Sequence, residues 1–218
     1  MLKSYVKRQG RFTEAQKKAY ETLAAKYIIP VSENYLDFES IFNSGSDVTM
    51  EIGFGSGFAT AEIAAANLQK NYLGIEVHRP GIGRLLWETE NRQLSNIRII
   101  EYDAVFIAQK MIKPQSLSAI HIFFPDPWPK KRHRKRRLIQ RPFTEDLAAC
   151  LKQDGYLYMA TDWEDYAIHA LEELNATTAL KNMYENFAVP QSWRPKTRFE
   201  EKGLAKDHAI RELMFRKK

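Results

Sequence analysis

The sequence predicts an α/β protein with an open, doubly wound and mostly parallel sheet, preceded by a basic amino-terminal extension. Two observations indicate this class. From Val48 onward, short apolar runs alternate with segments of helical periodicity, as a parallel sheet with crossover helices requires. Glycines or an acid lie at the carboxyl end of each of these runs or within two residues of it, a pattern typical of the ligand-binding edge of such a sheet.

One helix is predicted before the alternating pattern begins. Thr13 and Gln16 have the spacing of a capping box, and apolar residues recur every four positions up to Tyr27, so this helix is expected over Thr13 to Tyr27. We place a domain boundary after it. Residues 1–46 form a basic segment with this helix, and residues 47–218 form the sheet domain.

Six strands are predicted in the sheet domain. Five of them alternate with helices, at Val48–Ile52, Tyr72–Glu76, Ile97–Glu101, Leu117–Phe124 and Tyr156–Thr161, and the sixth is a tail strand at Ala209–Arg216. Helices are predicted at Phe58–Leu68, Pro80–Arg92, Ala104–Ile112, Pro142–Lys152 and Trp163–Leu174. Ligands in such sheets bind outside the carboxyl ends of the strands, so those ends are where functional residues are expected.

The composition excludes several classes of protein. Of the 218 residues, 44% are hydrophobic and 28% charged, as in soluble globular proteins. No apolar stretch approaches the roughly 18 residues of a membrane span, and the amino terminus lacks the apolar core of a signal peptide. The single cysteine, Cys150, and five histidines without paired spacing predict neither a disulfide nor a metal site. We therefore expect a cytoplasmic protein with no membrane contact and no metal.

Positive charge is concentrated in one segment. The chain carries 33 basic and 27 acidic residues, and seven of the basic ones lie within the eight positions Lys130–Arg137. A focused cationic field of this kind suits a polyanion such as a nucleic acid better than a small neutral substrate.

The first strand ends in the glycine turn Gly53-Phe-Gly55-Ser-Gly57, and carboxylates accompany it. Glu51 precedes the turn, Glu76 ends the second strand, and Asp103 lies two residues after the third. Three acids beside glycines predict a site for a cofactor with a ribose and a cationic centre, such as S-adenosylmethionine.

A nicotinamide cofactor is a less favoured alternative at the same turn. Phe58 occupies the third glycine position of the dinucleotide fingerprint, and Glu51 would repel a diphosphate. The turn also lacks the Gly-Lys-Ser/Thr of a phosphate-binding loop.

The fourth strand runs into Pro125-Asp-Pro-Trp128 and then directly into the basic segment. Prolines on both sides stiffen the backbone around Asp126, and Trp128 offers a stacking face. A carboxylate beside an indole predicts a site for a flat base with N–H groups, and the adjoining cations predict phosphate contacts.

These motifs together resemble the bacterial tRNA (guanine-N7-)-methyltransferases, members of the class I S-adenosylmethionine-dependent group with a Rossmann-like fold. The resemblance spans nearly the whole chain. Its segments are Tyr5–Arg11, Glu51–Gly57, Gly74–His78, Phe123–Trp128, Ala160–Glu164, Thr197–Glu200 and Leu213–Phe215. It implies methyl transfer from S-adenosylmethionine to N7 of a variable-loop guanosine in tRNA. No obligatory protein partner is evident from the sequence.

The resemblance also implies roles for individual residues. Asp126 is expected at the catalytic position. The cofactor is expected to contact Glu51, Gly53, Gly55, Gly57, Glu76, Asp103 and Asp126. The tRNA is expected to contact Lys130, Arg132, Arg134, Arg136, Arg137, Asp162, Thr197, Arg198, Phe199 and Glu200. Two alternatives stay open at this point, namely methylation of an exocyclic amine and a non-catalytic RNA-binding protein.

Overall fold

A computed structural model of the chain describes residues 5, 10, 12–196, 200 and 209–218. The chain divides into two units by its internal contacts. The first unit comprises residues 7–113 with 193–195, and the second comprises residues 1–6, 114–192 and 196–218.

The first unit contains three parallel strands with helices between them. Its elements are α1 (Glu14–Tyr27), α2 (Phe38–Phe42), β1 (Val48–Ile52), α3 (Phe58–Ala66), β2 (Asn71–Glu76), α4 (Arg79–Asn91), β3 (Ile97–Glu101) and α5 (Ala104–Lys110). Strand β2 lies between β1 and β3, with Ile52 opposite Ile75 and Glu76 opposite Glu101. All three strands therefore end at the same edge.

Helix α1 has the predicted amino-terminal cap. Thr13 accepts a hydrogen bond from the Gln16 backbone, and the Gln16 side chain accepts one from the Thr13 backbone, which satisfies two amide donors of the first turn. The helix crosses α4 so closely that a Cβ at Gly83 would lie 2.4 Å from the Gln16 carbonyl oxygen. Helix α1 therefore packs against α4 within the first unit, and the predicted boundary after residue 46 stays a prediction.

The second unit contains four strands in the order β4-β5-β7-β6. Its elements are β4 (Leu117–Phe123), a 3₁₀ helix (Lys131–Arg136), α6 (Phe143–Cys150), β5 (Leu151–Thr161), α7 (Glu164–Asn175), β6 (Leu180–Asn182) and β7 (Arg211–Lys217). Strands β4 and β5 are parallel, whereas β7 runs antiparallel to both β5 and β6. Most pairings of the described strands are parallel, so the predicted mixed α/β class is confirmed.

The strands form the core of each unit because they are apolar along their length. Every residue of β1 is buried, as expected for a strand covered on both faces. Strand β5 begins five residues before its predicted start, because its exposed Gln153 and Asp154 interrupt the apolar pattern. Among the described residues, no helix is long and apolar enough to cross a membrane.

Candidate functional site

The glycine turn after β1 is shaped by left-handed backbone. Gly53, Gly55 and Gly57 have φ of 74°, 58° and 68°, values that side chains other than glycine adopt with strain. In the described part of the chain, no atom lies within 4 Å of a Cβ placed at Gly53 or Gly55. The turn therefore presents open backbone against which a ligand can lie.

Helix α4 holds this turn from behind. A Cβ at Gly81, in the first turn of α4, would lie 1.9 Å from the Gly55 carbonyl oxygen. A Cβ at Gly57 would lie 2.5 Å from that of Leu85 in the same helix. Only glycine permits these approaches, so α4 fixes the position of the turn.

Glu76, the last residue of β2, reaches the glycine turn directly. Its Oε2 accepts a hydrogen bond of 2.8 Å from the Gly55 amide, and its Oε1 accepts from the amides of Val77 (2.6 Å) and His78 (3.1 Å). A carboxylate has about four acceptor positions, so capacity remains for a ribose hydroxyl. The structure thus brings together two features that the sequence placed at one edge.

Glu51 is a buried acid at the end of β1. Its side chain is 3% exposed, and burial, with a smaller contribution from the charge of Glu76, raises its pKa from 4.5 to about 8. A cation bound beside it would favour the ionised form and lower this pKa. Acidic groups of this kind fit a cofactor with a positive centre, which is the chemistry that S-adenosylmethionine offers.

Glu101, the last residue of β3, and Asp103, two residues later, have different hydrogen-bond partners. Asp103 caps α5 through Oδ1, which accepts from the amides of Val105 (3.0 Å) and Phe106 (3.2 Å), and no described residue donates a hydrogen bond to Oδ2. Glu101 is bound by the Tyr20 hydroxyl and by Arg79 Nε, the latter at 2.7 Å. Glu101 therefore joins α1 to the sheet edge, a role that the sequence did not indicate.

Asp126 lies in the second unit, in a loop with an unusual backbone. Phe124 and Trp128, on either side of the Pro-Asp-Pro sequence, have φ of 49° and 45°. Such values are uncommon in bulky residues and persist only where the surroundings enforce them. Asp126 itself is exposed. The loop therefore presents its carboxylate on a fixed backbone.

The second predicted aspartate of this unit, Asp162, follows the neighbouring strand. Strands β4 and β5 are parallel with Phe123 opposite Ala160, and the Phe124 amide donates to the Ala160 carbonyl at 2.8 Å. Asp126 and Asp162 thus follow strands that end at one edge, as the sequence predicted. Asp162 is half-buried.

The basic segment forms a 3₁₀ helix beside the indole of Trp128. The Arg136 guanidinium lies 4.9 Å from the centroid of the Trp128 ring, a cation–π contact. The exposed cations of the segment are Lys130, Lys131, Arg132, Arg134 and Lys135. Arg134 Nη2 is also paired with Asp165 Oδ1 at 2.8 Å, and contact of these side chains with phosphate stays a prediction.

Arg137 does not fit the predicted phosphate contact. Its side chain is 1% exposed, and its guanidinium bonds to the Pro127 carbonyl and to Asp165 within the protein. A guanidinium enclosed in this way cannot reach a phosphate in the solvent. The sequence did not reveal that Arg137 differs from the other cations of the segment, because its burial depends on residues far along the chain, such as Asp165.

The predicted substrate contacts near the carboxyl end fall largely outside the described residues. Thr197, Arg198 and Phe199 lie outside them, whereas Glu200 is described and is 6% exposed.

The chain is similar to known methyltransferases in sequence and in fold. Residues 46–213 match a family model described as a putative methyltransferase. The tRNA (guanine-N(7)-)-methyltransferase of Nitrosomonas eutropha is 50% identical over 99% of this chain and 96% of its own length. The protein of the same name from Burkholderia mallei is 48% identical over 100% of this chain and 82% of its own.

Solved structures show the same fold at low identity. The 16S rRNA methyltransferase KamB superposes with a TM-score of 0.62 at 12% identity, covering 88% of this chain and 98% of its own. An S-adenosylmethionine-dependent O-methyltransferase from Thermotoga maritima gives 0.52 at 14% identity, covering 82% and 62%. The predicted Rossmann-like methyltransferase fold is thereby confirmed. With relatives of about 50% identity along nearly its full length, the chain belongs to the family of tRNA (guanine-N(7)-)-methyltransferases.

Proposed function

We propose that this protein transfers a methyl group from S-adenosylmethionine to N7 of a guanosine in the variable loop of tRNA. Identity of 50% to a tRNA (guanine-N(7)-)-methyltransferase over 99% of the chain is the observation that carries the proposal. The geometry supports it, because the buried acid Glu51 adjoins a glycine turn that is bound by Glu76. A tRNA substrate is consistent with a cytoplasmic enzyme.

Residues of the first unit would hold the methyl donor. The open backbone of Gly53 and Gly55 would lie against it, Glu76 and Asp103 would accept hydrogen bonds from it, and Glu51 would supply negative charge. When bound, S-adenosylmethionine supplies a methyl group on a sulfonium. Glu51 would lose its proton when the cationic donor binds beside it, and the glycine turn would hold the donor in a fixed orientation.

Asp126 is proposed as the catalytic carboxylate. N7 of guanosine has a free lone pair and no proton, so its attack needs no general base. Positive charge develops on the purine as the methyl group is transferred, and a nearby carboxylate stabilises that charge more than it stabilises the neutral base. The rigid backbone around Asp126 keeps the carboxylate in place, and Asp162 would assist from the neighbouring strand.

The exposed cations of the 3₁₀ helix would bind the tRNA backbone. Lys130, Arg132 and Arg134 are exposed, and Arg136 lies over Trp128 within the same segment. Phosphate contacts of this type give affinity without sequence information. Selection of one guanosine would then depend on the fold of the tRNA and on contacts of the base with the Asp126 loop.

The experiment that tests this proposal identifies the methylated nucleoside. Unmodified tRNA is incubated with the protein and labelled S-adenosylmethionine, digested to nucleosides, and analysed by chromatography and mass spectrometry. We expect label in N7-methylguanosine. Label in an amine-methylated nucleoside would show that the protein methylates an exocyclic amine, and binding of tRNA without label would indicate a non-catalytic RNA-binding protein.

A further inference from the structure

We propose that Arg137 and Asp165 form a clamp that positions the Asp126 loop for methyl transfer, so that Arg137 acts as a positioning residue. The inference rests on the proposed function and deepens it. It begins from the burial of Arg137, which is 1% exposed although it lies in the most basic segment of the chain.

The guanidinium of Arg137 has a partner on each side. Its Nε donates to the Pro127 carbonyl at 3.0 Å, and its Nη2 is paired with Asp165 Oδ2. Its Nη1 donates to the Asp165 carbonyl at 3.4 Å, and the group lies over the Tyr166 ring at 5.0 Å from the centroid. One side chain therefore joins the loop after β4 to the first turn of α7.

The contact with Pro127 bears directly on the proposed catalytic residue. Pro127 is the neighbour of Asp126, and its carbonyl precedes Trp128, whose φ of 45° requires support. A hydrogen bond from a charged donor fixes the orientation of this peptide group. Loss of the bond would let the peptide group turn and move the Asp126 carboxylate.

Asp165 extends the clamp to the second aspartate. It lies three residues after Asp162, in the first turn of α7, and its Oδ1 also accepts from Arg134 Nη2 at 2.8 Å. The hydrogen bond from Arg137 is the main reason that the pKa of Asp165 is lowered. The same acid thus connects the loops that carry Asp126 and Asp162.

Neutralising Asp165 distinguishes two roles of the Arg137–Asp165 pair, namely binding of tRNA and positioning of Asp126. Asp165 is an acid beside cations that are proposed to bind tRNA, so neutralising it strengthens the positive field and should not weaken binding of tRNA. If the pair instead positions Asp126, the same change slows the chemical step.

The experiment compares Asp165→Asn and Arg137→Lys with a matched control on the same helix. Glu173→Gln neutralises another acid of α7, whose partner is Arg141 at 3.1 Å. For the two clamp variants we expect single-turnover rates at saturating tRNA and donor to fall by on the order of tenfold to a hundredfold, as for a small misplacement of a reacting group. The dissociation constant for tRNA should not rise in Asp165→Asn, and Glu173→Gln should match the wild type in both measurements.

Two results would overturn the inference. One is a wild-type single-turnover rate in both clamp variants. The other is a loss confined to tRNA affinity, which would make Arg137 an RNA contact after all. Unfolding by urea identifies any variant that fails to fold. If Arg137→Lys fails to fold, Asp165→Asn still tests the inference, because it keeps the buried arginine.

A second measurement keeps the inference separate from the proposed function. Exchange of the amide hydrogens of Asp126, Trp128 and Lys130 should be faster in Asp165→Asn than in the wild type and unchanged in Glu173→Gln, whether or not tRNA is methylated. Exchange that is unaffected in both variants would contradict the clamp. If the wild type methylates no tRNA, the proposed function is wrong. Faster exchange in Asp165→Asn would still support the clamp in that case.

Discussion

Replacing Glu51 by glutamine should change how the stability of the protein depends on pH. In the native state burial raises the pKa of Glu51 to about 8, whereas the unfolded chain has the ordinary value of 4.5. Between these values the unfolded chain has lost the proton and the native protein has kept it. Stability contributed by this group therefore falls as the pH rises, by about 1.4 kcal/mol per pH unit.

The magnitude follows from the two pKa values. From pH 5.5 to pH 7.5 the wild type should lose about 2 to 3 kcal/mol of unfolding free energy through Glu51 alone. The Glu51→Gln variant lacks this contribution, so its free energy of unfolding relative to the wild type should rise by that amount over the same interval. Other titrating groups are common to both proteins and cancel in the difference.

Urea unfolding of both proteins at pH 5.5, 6.5 and 7.5, without a methyl donor, measures this difference. A free energy of unfolding of Glu51→Gln that rises relative to the wild type with increasing pH would agree with a buried acid that is protonated in the native state. A difference that stays constant with pH would refute the reasoning, since Glu51 would then titrate alike in the native and unfolded states.

Three further changes test other parts of the site. Asp126→Asn should lower the single-turnover rate by roughly a hundredfold or more, as expected when a group that stabilises developing charge is lost, while tRNA affinity is retained; an unchanged rate would disprove its catalytic role. Neutralising Arg132, Arg134 and Arg136 together should make the slope of log affinity against log salt about 2 units shallower, given roughly 0.7 to 0.9 per phosphate contact; an unchanged slope in filter-binding titrations would remove these cations from the interface. Gly81→Ala should weaken binding of the donor in calorimetry, because the new Cβ displaces the Gly55 carbonyl, whereas Gly45→Ala, whose Cβ meets no described atom within 4 Å, should not. Equal affinities in the two alanine variants would contradict this account of the turn.

The edge of the sheet could be predicted from sequence because local patterns determine it. Each apolar run ends at a polar or glycine residue, and parallel strands bring those ends together. The contact between Glu76 and the Gly55 amide is a direct result of this arrangement. The same reasoning placed Asp126 and Asp162 at strand ends, and the structure shows that these strands, β4 and β5, are parallel neighbours.

Other features could not be predicted because they depend on residues far apart in the chain. Glu101 and Asp103 look equivalent in sequence, yet Glu101 is bound by Tyr20, 81 positions earlier. Arg137 looks like its basic neighbours, but Asp165, 28 positions later, encloses it. Strand β6 is too short to give a periodic signal, and the antiparallel direction of β7 has no local signature.

Cleavage of intact tRNA at its methylated base tests the central claim most directly. N7-methylation makes the glycosidic bond labile, so reduction followed by aniline treatment breaks the chain at the modified guanosine. After incubation with the protein and S-adenosylmethionine, we predict one cut in the variable loop, and none in a transcript with adenosine at that position. Methyl incorporation without a cut, or an equal cut in the adenosine transcript, would contradict the account.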